Sequence, residues 1–546
     1  MDTSPSGLFK ALVPKVPYMV KTALWHSLSL SPTSRVWDLR TEMTIKILRA
    51  FVATTSHPSS ISEQQRLSLK DPGVKGPIWI SRVTIPVDEK GDEIRKLVFG
   101  AIDDLAEEEE MKDYPKPDLV PVEAEWTGYR SGVDAHEPEP VGMAEEEKYK
   151  RLMDEVQSDV TVLYFHGGAY YLLDPASHRP HTSRLAKLTH GRVFSVRYRL
   201  APQHPFPAAL MDALVAYLAL LYPPPGSLHA AVPASKIVFA GDSAGGGLVY
   251  SLIQLLLQLN RTVEANATKP GLPSHGQNKT STTTAALPFP LPLPLPAGLA
   301  TNSPYLDLTR SLPSLETNAR YDYLPPPSLT HKTYFPPCAA WPASPPRADL
   351  YAPTTALLTH ALVSPLAARS WARAPPMAVV YGQELLSDEI EALAGWVMDA
   401  AAPPGAPWTV RVRKYEAMPH CFAMVLPAHP ASAACFDFWA ACIVDFVRRA
   451  DASASSPTSA PNTSTSNTTN TTTPPTSATT PPPPSTTSSW TIARAPSGSI
   501  EPFSPSGPGG PGGKIWDHAD VLSRMQDARR KRELGLETAA KEGLMF

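Results

Sequence analysis

The chain reads as an α/β protein, with a mostly parallel sheet and helices on both faces. Three observations predict this. Apolar strand-like runs alternate with helical patterns between residues 160 and 259. One such run ends in Gly241-Asp242-Ser243-Ala244-Gly245, and a helical pattern follows at once. Another ends in His166-Gly167-Gly168. Strands separated by helix-length segments need crossover connections, and crossovers produce parallel sheets.

Taken in order, residues 1–75 hold apolar segments interrupted by lysines. Leu8 through Leu30 carries Lys10, Lys15 and Lys21. It offers no clear secretory signal, nor the run of about 18 apolar residues that a membrane span requires. Met43 to Val52 is an amphipathic helix candidate. Peripheral attachment to a membrane surface is the rival expectation for residues 1–30. The acidic run Glu107 to Glu110, beside Asp103 and Asp104, reads as a solvated loop.

Val160 to Phe165 is β-branched and aromatic and predicts a buried strand over 160–166. Helix 178–189, strand 192–198, helix 207–221, strand 236–241 and helix 245–259 continue the alternation. Residues 260–296 are rich in Asn, Thr, Lys, Gly and Pro, and end in alternating Leu and Pro. Proline cannot donate to a sheet ladder, so this stretch reads as a low-complexity surface insertion with a polyproline II end. Pro376 to Gly382 reads as a strand ending in glycine, and Trp408 to Tyr415 alternates as a strand does. Residues 451–515 are almost wholly Ser, Thr, Pro, Ala, Asn and Gly, the composition of a disordered linker. Residues 516–546 are helix-compatible, with Arg529-Arg530-Lys531-Arg532 expected on a solvated face.

Two of these junctions carry chemistry. Ser243 sits at the apex of a strand-to-helix turn, flanked at two residues by Gly241 and Gly245. Small residues there let the backbone turn sharply enough to expose the hydroxyl, as a nucleophile elbow requires. His166-Gly167-Gly168 ends the earlier strand. Backbone N–H groups that no side chain screens can stabilise a developing oxyanion.

With Tyr198-Arg199-Leu200-Ala201-Pro202, Pro205 to Ala209, and Ser303 to Thr309, these motifs resemble the hormone-sensitive-lipase-like branch of the α/β-hydrolases. The resemblance runs over about 160–450, and fungal carboxylesterases and steryl acetyl hydrolases look most similar. It implies an α/β-hydrolase catalytic domain over 76–450. It also implies a helical cap built from residues 1–75 and about 310–370. Ser243 would be the nucleophile. His420, in Met418-Pro419-His420-Cys421-Phe422, would be the base. Glu384 stands where the family usually has aspartate and would be the acid, with Asp388 as the alternative. Gly167, Gly168 and Ala244 would hold the oxyanion, Asp242 would support the elbow, and His166, Gly241 and Gly245 complete the motifs. Gly247 replaces the asparagine common in the family, with little effect expected. The implied activity is hydrolysis of short-to-medium acyl esters through an acyl-enzyme. The alternatives are a steryl or secondary-metabolite deacetylase at a membrane, and a receptor-like ligand-binding protein.

Composition narrows the field. With 49 basic and 52 acidic residues the net charge is −3, which gives no footprint for nucleic acid. His178 and His181, near Arg179, lack the ligand set of a zinc site, and no cofactor is expected. The four cysteines, Cys338, Cys421, Cys435 and Cys442, are too few for a disulfide framework. The expected partner is a small ester. The expected location is the cytoplasm or the cytoplasmic face of a membrane such as the endoplasmic reticulum. Oligomeric state is left open.

Overall fold

A computed structural model describes residues 13–52, 59–87, 89–267, 287–330, 335–341, 347, 349–399, 410–455, 489–505 and 516–541. Its strands are β1 (Ile78–Ile85), β2 (Val122–Tyr129), β3 (Thr161–Phe165), β4 (Arg192–Arg197), β5 (Ile237–Asp242), β6 (Gly298–Asn302), β7 (Met377–Gly382), β8 (Val410–Tyr415), β9 (Ser489–Ala493) and β10 (Ile500–Pro502). They form one 10-stranded sheet in the order β1-β2-β4-β3-β5-β6-β7-β8-β9-β10. β1, β2 and β4 pair antiparallel, β4 through β9 pair parallel, and β10 turns back on β9.

Five of the parallel strands, β3, β4, β5, β7 and β8, are the ones read from the sequence, whereas β6 and β9 were not, and burial explains the composition of the central ones. Every residue of β3, β5, β6 and β7 is buried, because helices cover both faces. Alternate side chains serve alternate cores. Leu163 and Phe165 of β3 enter the core shared with helices Ala208–Leu221 and Ser243–Ala267. Val162 and Tyr164 enter the core shared with helices Pro175–Thr189 and Pro430–Ser455. That last helix is long and apolar enough to cross a membrane. Its Phe436, Trp439, Ile443 and Phe446 are instead buried against the sheet.

Three sequence expectations need correction. The insertion at 260–296 begins later than expected, because the Ser243 helix runs on to Ala267. The proline-rich end lies at the surface but is anchored: Pro288, Pro290, Pro292 and Pro294 are exposed, whereas Phe289 and Leu293 are buried in the core. Asn260 fixes it by accepting from Leu293 N–H and donating to Leu293 C=O, both at 2.8 Å. Residues 268–286 lie outside the described residues.

The disordered reading of 451–515 also fails in part. Its first residues complete the helix Pro430–Ser455, and Ser489–Ala493 forms β9 on the open edge of β8. Ile492 and Ala493 are buried there, so a short apolar alternation outweighs the polar composition around it. The remainder, 456–488 and 506–515, lies outside the described residues.

The basic tail is docked. Helix His518–Lys541 buries Val521 and Met525 in the main core, and Trp516 is buried beside it. Arg529 pairs with Glu108 at 2.8 Å. The acidic run is otherwise solvated as expected, with Glu107, Glu109 and Glu110 exposed and Glu107 pairing with Arg369 at the surface.

Candidate active site

The elbow follows directly from β5. Ser243 opens the next helix in the left-handed region, at φ 50°. Non-glycine residues seldom adopt this conformation, and it turns the side chain out of the sheet. Ser243 is accordingly only partly buried between buried Asp242 and Ala244. Its glycines have a steric cause. A Cβ on Gly245 would meet Phe165 C=O at 2.0 Å, and one on Gly241 would meet the same oxygen at 2.6 Å. The end of β3 therefore lies against the elbow.

Beyond that contact, Gly168, Ala169 and Tyr170 all take positive φ, at 115°, 51° and 64°. Among the described residues, the N–H groups of Gly168 and Ala169 find no protein acceptor. Ala244 N–H belongs to the first helical turn, which has no intrahelical acceptor. Gly167 is different, and the expectation that it donates to an oxyanion is corrected. Its N–H donates to Asp242 Oδ1 at 3.2 Å, and a Cβ there would meet Asp242 Oδ2 at 2.3 Å. Its absent side chain admits the carboxylate, not a ligand. Ala169 was not singled out in the sequence; only the observed run of positive φ reveals it.

Asp242 is the centre of a buried polar cluster behind the serine. Tyr164 Oη donates to its Oδ1 at 2.6 Å, and His178 Nε2 lies 3.3 Å from the same oxygen. Burial alone would raise the carboxyl pKa, but His178 and Tyr164 outweigh it and hold it at about 2. His178, whose pKa burial would lower, is raised by Asp242. His166 stays neutral: burial, then neighbouring His178, push it down to about 3. It stacks on Tyr198 at 4.3 Å, whose hydroxyl donates to His166 C=O at 2.7 Å.

The histidine and the acid come from the far side of the sheet. Gly382 ends β7, and a Cβ there would meet Met418 C=O at 2.1 Å. The missing side chain lets the loop after β8 close onto the loop after β7. His420 Nδ1 then contacts Glu384 Oε2 directly. Glu384 Oε1 accepts from Gly382 N–H at 3.2 Å, and both partners are buried. Asp388 does not reach the histidine. It accepts from Ser314 N–H at 2.7 Å, and burial raises its pKa to about 6.

No hydrogen bond joins His420 to Ser243 in this structure. His420 Nε2 instead meets Cys421 Sγ at 3.5 Å, because Cys421, at φ 46°, turns its thiol back over the ring. Catalytic hydrogen bonds are often long in unliganded enzymes and tighten when substrate binds. Burial alone would lower the His420 pKa, but Cys421 and Glu384 outweigh it and hold the imidazole well above the ordinary range. Burial lifts the Cys421 thiol to about 11, with His420 pulling the other way.

One further residue was missed. Asp322 Oδ2 accepts from Leu385 N–H at 2.9 Å, and its Oδ1 accepts from His420 N–H at 3.4 Å. It ties the acid loop to the histidine loop from the 310–370 segment. No local motif marks it, since its partners lie 63 and 98 residues away.

A family model described as an alpha/beta hydrolase fold matches residues 162–424. Residues 162–424 thus have an α/β-hydrolase fold. An acetyl-hydrolase of Streptomyces hygroscopicus is 39% identical over 111 residues, 20% of this chain and 35% of the relative. An esterase of Acinetobacter venetianus is 32% identical over 170 residues, 31% of this chain and 43% of the relative. The human hormone-sensitive lipase is 31% identical over 130 residues, 22% of this chain and 12% of that protein. The chain is similar to the hormone-sensitive-lipase-like branch over these segments, and each match spans less than half the relative's length.

Proposed function

We propose that the protein is a serine carboxylic-ester hydrolase for short-to-medium acyl esters. The observation that carries this is the Glu384–His420 contact across from a left-handed, partly exposed Ser243. Ser243 attacks the ester carbonyl while His420 Nε2 takes its proton, once the ring swings off Cys421. Glu384 orients the imidazole and stabilises the imidazolium. Gly168 and Ala244 N–H groups, with Ala169 beside them, receive the oxyanion. His420 returns the proton to the leaving alcohol, then activates the water that releases the acyl-enzyme. Asp242 holds the glycine turn in place through Gly167.

The cap is assigned to the N-terminal helices and the 310–370 segment. Trp37 Nε1 donates to Ala417 C=O at 2.6 Å, and Asn318 Nδ2 donates to Glu384 C=O at 2.9 Å. The names of the relatives, acetyl-hydrolase and esterase, support small acyl groups as the first to test.

Hydrolysis of nitrophenyl esters from acetyl to palmitoyl tests the reading. Turnover should be present in the wild type, absent in Ser243→Ala, and greatest at a short or medium chain. Folded wild type with no turnover on any of these esters would refute it.

A further inference from the structure

Helix Val16–Ser27 is amphipathic the wrong way round for a surface helix. Its inner side is polar. His26 Nδ1 contacts Glu42 Oε2 at 2.6 Å, Thr22 is buried, and Lys15 Nζ donates to Ala50 C=O at 3.0 Å. Its outer side is apolar. Val13, Val16, Val20, Leu24 and Leu28 follow one another at three- or four-residue steps, so they form one stripe, and all are exposed. Trp25, 47% exposed, lies beside the stripe with Lys21 Nζ 5.0 Å above its ring. Eight of the nineteen exposed large apolar side chains among the described residues fall between Val13 and Leu30. A contiguous apolar face of this kind marks a docking surface.

Charge selects the occupant. Residues 3–37 contain no Asp or Glu but include Lys10, Lys15, Lys21 and Arg35. An apolar face with Trp25 and Lys21 on it, in a segment that has basic residues and no acidic ones, suits the headgroup boundary of an anionic bilayer. A second copy would bring the same cations face to face. The geometry points to this outer face docking the protein on an anionic phospholipid surface.

The docked face is joined to the histidine loop. The adjoining helix Leu39–Val52 carries Arg49, whose Nε donates to Asp322 C=O at 2.8 Å. Asp322 in turn holds His420. The bilayer therefore abuts the cap, and an ester partitioned in it would enter from that side. This last clause rests on the proposed esterase activity; the docking does not.

The test is sedimentation of the full chain with vesicles of phosphatidylcholine, alone and mixed with phosphatidylserine. The wild type should bind the mixed vesicles, weakening steeply with salt. Val20→Ser with Leu24→Ser should weaken binding by at least ~10-fold. Both side chains are exposed, so melting temperature and turnover of a soluble acetyl ester should not change. The inference is overturned if the wild type stays unbound to mixed vesicles, or if the double variant binds as well. It is also overturned if sedimentation velocity shows a dimer that the double variant abolishes. Vesicle binding without turnover would refute the esterase reading alone.

Discussion

Glu384→Gln removes the charge at His420 Nδ1 while keeping the side-chain length. The amide can still accept from Gly382 N–H, so the loop after β7 should hold its shape. What is lost is the charged partner of the imidazolium. In a serine–histidine–acid site that loss costs roughly 10² to 10⁴ in kcat, or about 3 to 5 kcal/mol of transition-state stabilisation. KM should change little, because Glu384 is buried and touches the base. Asp388→Asn is the matched control. Asn can still accept from Ser314 N–H, so kcat should fall less than about threefold and stability by about 1 kcal/mol. Steady-state kinetics on a nitrophenyl acetyl ester, with thermal melts of both variants, decides the matter. Loss of turnover in Asp388→Asn, with Glu384→Gln near wild type, would refute the assignment and the geometry behind it.

Because the His420 pKa is raised, turnover should climb with pH through a value above the ordinary histidine range, where the imidazole becomes neutral. In Glu384→Gln that limb should move to lower pH. The same shift stabilises the fold fully below the unfolded histidine pKa, and that share is lost as pH rises through the folded one. Melting curves from pH 6 to 10 should therefore soften where the rate rises; a flat rate profile over that range would contradict this. Cys421→Ala should free His420 Nε2 and leave kcat/KM unchanged or raised a few-fold, whereas a loss beyond about tenfold would mean the thiol helps position the ring. Ending the chain at Ser455 should yield poorly soluble, less stable protein, because it bares the β8 edge and the apolar surface under Val521 and Met525. A soluble truncation with the full-length melting temperature would show that those contacts contribute nothing.

The central strands were legible because burial on both faces writes itself as unbroken apolar runs, as in Ile237 to Ala240. The elbow and the double glycine were legible because sterics demand glycine where Phe165 C=O meets Gly245. Other features depend on partners distant in sequence. β9 is five residues inside a Ser/Thr/Pro stretch, and only the unpaired edge of β8 makes Trp490 and Ile492 a strand. Asp322 became part of the site through contacts that no spacing encodes. Gly167 carried the right motif but the wrong role, because the sequence does not say which way an amide points. β1 and β2 were overlooked although Ile78 to Ile85 is rich in β-branched residues; they extend the sheet antiparallel, outside the strand–helix alternation.

β9 has a consequence for how the chain is made. The strand that covers β8 emerges from the ribosome only after the Pro430–Ser455 helix and the stretch beyond it. Every nascent chain therefore spends an interval with its catalytic strands in place and one row of backbone amides and carbonyls uncovered. Neighbouring nascent chains could pair along that row during this interval. The stretch before β9 carries Pro474-Pro475 and Pro481-Pro482-Pro483-Pro484, and because proline cannot donate to a ladder it is chemically suited to occupy the wait without competing for the edge.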